Sequence, residues 1–364
     1  MRNLISGLVI GLVAGVLLAV SVPPPSGGPP DDLGGRVAGG NEAPPAAWRM
    51  ASVFPPDLAP YGPQMQHVLT TIAELSENQV EIGFFGPGAV VPAAGVLDAV
   101  ASGVVDAGFS SPAYWAETAP ALQLFGGIPF GPDQTEFLAW FRFGGGEEIY
   151  EELYYGLGIH SVVCGVEPPA GGGWFKRPIE TPDDLKSLKV AAAGLPGSVL
   201  RGLGADPSRM PPADIMVELQ AAGLDGAIFS VPTADRSLGL HRFMDHYYFP
   251  GWHKQSGLLE LLVNLTRWNA LSDAERQVIE VACAANMADG LARAEAGQFD
   301  ALKSLVISGV TVAKWEEPVL SALRQSWLRV AAEQAANDRT FRRAWQSLNR
   351  FREDYSIWRE LGYL

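Results

Sequence analysis

Leu224-Asp225-Gly226-Ala227-Ile228-Phe229-Ser230-Val231-Pro232 is a short apolar run that emerges from a helical segment, residues 213–222, and stops at a proline. Leu188-Lys189-Val190-Ala191-Ala192-Ala193-Gly194 has the same construction. Short apolar runs bounded by Gly or Pro and alternating with helical patterns read as buried strands of an α/β sheet. A third segment, Val166-Glu167-Pro168-Pro169-Ala170-Gly171-Gly172-Gly173-Trp174-Phe175, reads as a strand edge with a Gly-rich turn. Ligands of open α/β sheets sit outside the carboxyl ends of the strands. The three segments are therefore expected to face one cleft, with Ala, Gly, Ile and Phe on its wall.

Working outward, the same alternation holds along most of the chain. Residues 48–54 predict a first strand, ended by Pro55 and Pro56. Residues 61–78 have helical period, 79–85 alternate as a strand, 95–102 read as a short helix and 104–110 as a strand. Residues 134–155 predict one helix and 159–166 a strand. Thr181-Pro182-Asp183-Asp184-Leu185 opens a helix with a Thr cap and a proline at its first position. Residues 259–264 return as a strand, 272–302 are helical, 310–314 form a strand, and helices run from Pro318 to Leu364. Strand, helix, strand in succession argues for parallel sheets with crossover helices.

The chain has 364 residues and a hydrophobic fraction of 48%, enough for two domains. Its net charge is −14, from 26 Lys and Arg against 40 Asp and Glu. That balance disfavours nucleic acid as a partner, since phosphate binding needs clustered cations. Arg2 followed by an apolar run over residues 4–20 and small residues at Ala19 and Ser21 reads as a signal peptide, residues 1–21. Its length also suits an uncleaved membrane anchor, and both readings stay open. Either places the body of the protein outside the cytoplasm. Residues 22–47, rich in Pro and Gly, read as a linker. The chain's two cysteines, Cys164 and Cys283, are either a disulfide or two buried thiols.

Several blocks in fixed order resemble one family. They are residues 84–91 (FFGPGAVV), 98–106 (DAVASGVVD), 172–176 (GGWFK), 184–189 (DLKSLK) and 247–252 (YYFPGW). The chain resembles the DctP-type solute-binding proteins of tripartite ATP-independent periplasmic (TRAP) transporters, and within them the subgroup that binds α-keto acids. The resemblance implies a two-lobed periplasmic binding protein fold of α/β class with a helical C-terminal segment. It implies a first lobe over residues 48–165, rejoined by part of 259–364, and a second over 166–258. The C-terminal helices, 272–364, would pack across both. It further implies a receptor, not an enzyme, which closes on a small-molecule ligand and passes it to membrane transporter subunits.

The same resemblance places polar anchors where this chain has none. The family's carboxylate-gripping Arg falls on Ala191, a Gln that binds ligand or metal falls on Ala170, and a metal-binding Glu-Trp pair falls on Ile228-Phe229. An acid buried without a guanidinium partner is costly. The expectation is therefore an apolar or weakly polar ligand, held by Tyr114, Trp115, Ala170, Gly171, Trp174, Ala191, Ile228, Phe229 and Trp252. Two alternatives stand beside it: an ordinary keto-acid receptor, and a membrane-tethered lipid-binding or scaffolding subunit that has lost transport. No metal or cofactor is expected, because His241, Asp245, His246 and His253 match no ligand spacing. His253 reads as solvated, and Glu167 and Asp235 as surface or capping groups. Gly171-Gly172-Gly173 lacks the ending of a phosphate loop, and no Gly-x-Ser-x-Gly occurs. Monomer and dimer both stay open.

Overall fold

The computed structural model describes residues 46–210 and 212–363. The expected signal or anchor segment and nearly all of the linker lie outside the described residues. Among those described, no helix is long and apolar enough to cross a membrane.

Two mixed sheets form the frame. The first has five strands in the order β2-β1-β3-β10-β4, where β1 is Ala46–Ser52, β2 Val80–Phe85, β3 Ala107–Ser110, β4 Ile159–Val166 and β10 Leu258–Asn264. The second has six, in the order β11-β9-β5-β8-β6-β7. Here β5 is Gly173–Phe175, β6 Lys189–Ala191, β7 Asp206–Ser208, β8 Gly226–Ala227, β9 His246–Phe249 and β11 Thr311–Lys314. The sheets are not purely parallel as the pattern suggested. Strand β10 enters the first sheet from the far lobe and pairs antiparallel with both β3 and β4. Strand β5 likewise runs against β8 and β9. Both exceptions flank the places where the chain changes lobe, so their direction is set by the crossing rather than by a crossover helix.

The chain crosses between the sheets by three routes. Residues 167–172 lead from β4 to β5, and 250–257 lead from β9 back to β10. The 35-residue helix Asp273–Ile307 then runs from the first sheet to β11 of the second. Its Ser272 cap forms a capping box with Glu275. A disulfide joins Cys164 on β4 to Cys283 on this helix, which settles the pairing that the sequence left open. Asn286 of the same helix donates to the Cys164 carbonyl at 2.7 Å.

Two further helices close the molecule. Helix Glu317–Asn337 packs on Gly194–Arg201 of the second lobe, where Ser326 donates to the Val199 carbonyl. Helix Arg339–Gly362 packs on the first lobe through Arg352, Arg359 and Arg343, which pair with Glu136, Glu148 and Glu152. The single helix expected over 134–155 is two, Gln134–Phe143 and Gly146–Gly156, broken where Gly145 takes a left-handed φ of 88°.

Candidate functional site

Between the sheets lies a cavity of about 510 Å³. One wall is made of strand ends. The Ala191-Ala192-Ala193 run leaves β6 for helix Gly194–Arg201, and Ile228-Phe229-Ser230 leaves β8 for helix Pro232–Leu238. Met210 and Ile215 extend this side. The first lobe contributes Phe54, Leu58, Tyr61 and Tyr114. Phe54 stacks on Tyr61 with ring centres 4.5 Å apart and meets Tyr114 edge-on at 5.7 Å. These surfaces are apolar, and an apolar ligand surface placed against them gains about 25 cal/mol per Å².

The other pole of the cavity is charged, and it is built from the two short crossings. Glu167 sits in the first crossing and Lys254 in the second. Backbone bonds zip the crossings together, from Glu167 N–H to the Gly257 carbonyl at 2.8 Å and from Ala170 N–H to the Lys254 carbonyl at 3.1 Å. Lys254 Nζ donates to Glu167 Oε2 at 2.5 Å, with the two side chains 12% and 2% exposed. Tyr61 Oη donates to the same carboxylate at 2.8 Å and Ser111 Oγ at 3.3 Å. The Lys254 stem passes over Gly127, where an added Cβ would come within 3.0 Å of its Cδ. Gly127, at φ 150°, thus makes room for that side chain on the first-lobe side.

His253 lines the same cavity and is only 4% exposed. Burial, reinforced by the Lys254 charge, pushes its pKa down to about 3, so the ring is neutral. Neither ring nitrogen has a hydrogen-bond partner. The sequence reading that left His253 in solvent is corrected here, as is the surface half of the reading of Glu167 and Asp235 as surface or capping groups, since both are buried. Asp235 is buried behind the wall, where it accepts from Trp174 Nε1 and Tyr247 Oη, each at 2.8 Å, and from the Ser230 N–H at 3.0 Å. Burial outweighs these donors and raises its pKa to about 6.

Two hydrogen bonds clasp the lobes across the opening. Tyr61 Oη meets Ser230 Oγ at 2.5 Å, and the Leu195 N–H donates to Gln123 Oε1 at 3.0 Å. At the rim, Arg209 pairs with Glu117 at 2.5 Å and reaches the Tyr114 carbonyl.

Of the residues expected at the ligand, Tyr114, Ala191, Ile228 and Phe229 line the cavity. Trp115, Ala170, Gly171, Trp174 and Trp252 are not among the lining residues. Trp115 is buried against Glu260, to which its Nε1 donates at 2.9 Å. Trp174 stacks on Tyr247 at 4.0 Å and bonds Asp235. Gly171 packs so tightly on Tyr247 that a Cβ would lie 2.0 Å from its hydroxyl oxygen. Ala170 serves the backbone zip, and Trp252 packs against Phe130. The Gly-rich turn therefore serves close packing. Of the cavity's ionisable residues, sequence reasoning missed Lys254 and set Glu167 and His253 aside. Their one signal was chemical: ionisable groups placed inside Pro- and Gly-rich connections.

The profile described as bacterial extracellular solute-binding protein, family 7, matches residues 51–338. A monocarboxylate 2-oxoacid-binding periplasmic protein of Nostoc sp. is 29% identical over 317 residues, 87% of each chain. A TRAP transporter solute-binding protein from Bordetella bronchiseptica, with copurified calcium and picolinate, aligns with a TM-score of 0.84 at 29% identity, covering 88% of this chain and 95% of its own. A TRAP periplasmic solute-binding protein from Pseudoalteromonas atlantica, with bound sodium and pyruvate, aligns at 0.83 and 28% identity, covering 87% and 97%.

Proposed function

The chain belongs to family 7 of the bacterial extracellular solute-binding proteins, which are receptors of TRAP transport rather than enzymes, and from that membership we propose that its cleft holds a small organic monocarboxylate with an apolar body. Lys254 carries this reading. It is a nearly buried ammonium at the charged pole of a cavity whose opposite wall is apolar, and it revises the expectation of a wall without cations. A carboxylate at that end would meet Lys254, while its carbon chain would lie along Ala191 to Ala193, Ile228 and Phe229. The relatives that bind 2-oxoacid, pyruvate or picolinate support an acid as cargo. The cavity is roomier than a three-carbon acid needs, so a longer chain is favoured.

A metal ion, as in the two structural relatives, does not fit the groups present. Glu167 is the carboxylate at the pole, and its oxygens already take an ammonium and two hydroxyls. Among the described residues no cluster of three or more His, Cys, Asp or Glu could hold one.

A second reading keeps the apolar or weakly polar ligand. It is favoured by the sharing of Lys254 with Glu167, and by the absence of any charged side chain in the Ala191–Ala193 run. Titration calorimetry separates the two readings. The probes are straight-chain 2-oxo acids of three, six and eight carbons, with the methyl ester of each. The acid reading expects affinity to rise roughly fourfold per added buried methylene, from about 0.8 kcal/mol each. It expects the esters to bind at least about tenfold more weakly than the acids. Esters that bind as tightly as the acids would replace it with the apolar reading. Delivery to transporter subunits in the membrane follows from the family role.

A further inference from the structure

We propose that Lys254 and His253 together form a metal-independent anchor for the ligand's carboxylate and its neighbouring oxygen. The inference rests on the monocarboxylate reading above and deepens it. An ammonium has three N–H donors. Among the described residues Lys254 spends one of them, on Glu167. The other two remain for a ligand. His253, the next residue along the same crossing, presents a neutral ring whose two nitrogens are both unpartnered although the side chain is buried. A neutral imidazole carries one N–H and one lone pair, and burying both without partners is unfavourable. The ring lines the cavity with both nitrogens shielded, so the anchor requires it to turn toward a bound ligand. A 2-oxo acid offers acceptors to each group: a carboxylate oxygen to the ammonium and a second oxygen to the imidazole N–H.

The ammonium also explains why an added cation is not needed. Glu167 already accepts from Lys254 and Tyr61 at Oε2 and from Ser111 at Oε1. A metal ion would have to displace the ammonium and then stand beside it. Asp235, the next buried carboxylate, faces Trp174 and Tyr247 instead. Lys254 therefore supplies from within the chain the positive charge that the acid requires, and Glu167 holds it in position at the cost of some repulsion toward the acid.

The test uses the full chain and 2-oxohexanoate as probe, followed by calorimetry in sodium-free potassium buffer with EDTA and again with millimolar calcium chloride. Unchanged affinity between the two buffers is expected. The paired substitution Lys254→Met with Glu167→Gln, which leaves no buried charge unmatched, should weaken binding roughly tenfold or more. His253→Ala should weaken it roughly threefold or more. Glu167→Gln alone should tighten it severalfold, because the ammonium is no longer shared with a second anion. That single variant keeps the pole polar, and it carries the test if the paired variant fails to fold. Binding that appears only with calcium would overturn the anchor and leave the monocarboxylate reading standing. So would paired and Glu167→Gln variants that bind like the wild type. Absence of 2-oxo acid binding in both buffers, with the methyl ester bound, would defeat the monocarboxylate reading and the anchor with it.

Discussion

The two ends of one cavity are made by opposite means. The strand-end wall, Ala191–Ala193 with Ile228 and Phe229, lies at and just beyond the ends of β6 and β8, in the short turns into the following helices, and offers no charge. The hinge pole, Glu167, His253 and Lys254, comes from two irregular crossings and concentrates the cavity's buried ionisable groups. Under the proposed reading the wall would select by shape and area, which scale smoothly with ligand size. The pole would select by charge and hydrogen bonding, which fail abruptly when a partner is missing. The pole is also where the lobes join, so the groups proposed to grip the polar end of a ligand are continuous with the connections between the lobes. In a hinged receptor, contacts made only in the closed form shift the open–closed balance.

The most disruptive way to break this contrast is to unpin the pole. Cys164 and Cys283 close a loop of 119 residues beside the first crossing. Loss of that bond through Cys164→Ser with Cys283→Ser is expected to cost roughly 5 kcal/mol in the chain-entropy account. Chemical denaturation of oxidised and doubly substituted protein reads the difference. A change below about 1 kcal/mol would mean that packing of β4 on the long helix already holds the hinge.

Acid should separate the pole from the group behind the wall. His253 is held near pH 3 against an ordinary value of 6.5. Between those values the unfolded chain takes a proton that the folded chain refuses, so stability falls as pH falls, by about 1.4 kcal/mol per unit. Asp235 acts in the opposite sense. Its value is raised from 3.8 to about 6, so across that window the folded chain holds the extra proton and stability rises as pH falls. His253→Gln should remove the first effect. Its stability relative to wild type should improve progressively from about pH 6 toward pH 4. Parallel stability curves for the two proteins would show that His253 does not titrate as described.

Filling the wall sharpens the contrast from the other side. Ala191→Leu shortens the apolar space without touching Lys254. An eight-carbon 2-oxo acid should lose about tenfold or more in affinity, while pyruvate changes by less than about twofold. Equal loss for both acids would mean that chain and carboxylate are not read by separate ends. The smallest effect is expected at the clasp. Tyr61→Phe removes the bonds to Ser230 and Glu167, worth about 1 kcal/mol net. Small-angle scattering of the ligand-free protein should then show a more open average shape.

Much of the frame was legible in the chain. The strand from residue 159 ends where the apolar run ends, and Thr181 caps the expected start with Asp184, although the element is a single 3-10 turn, Pro182–Leu185, rather than a longer helix. Ala191, Ile228 and Phe229 reach the cavity because strand termini in such sheets point at the ligand space. Trp174 and Trp252 did not follow that logic. Each is large, and burial among Tyr247, Asp235 and Phe130 satisfies it away from the cavity.

Hydrophobic period, caps and the Gly and Pro stops fixed the sequence of strands and helices and the apolar face of the cleft, because those are interactions between near neighbours. The partnership of Glu167 with Lys254 spans 87 positions and lies in segments without period. Only the folding of two sheets against each other, with their connections zipped side by side, brings an acid and an ammonium to 2.5 Å and strips the water from around them. The charged pole of the cavity is decided at that step, since the strength of an ion pair depends on separation and dielectric, and neither is written in local sequence.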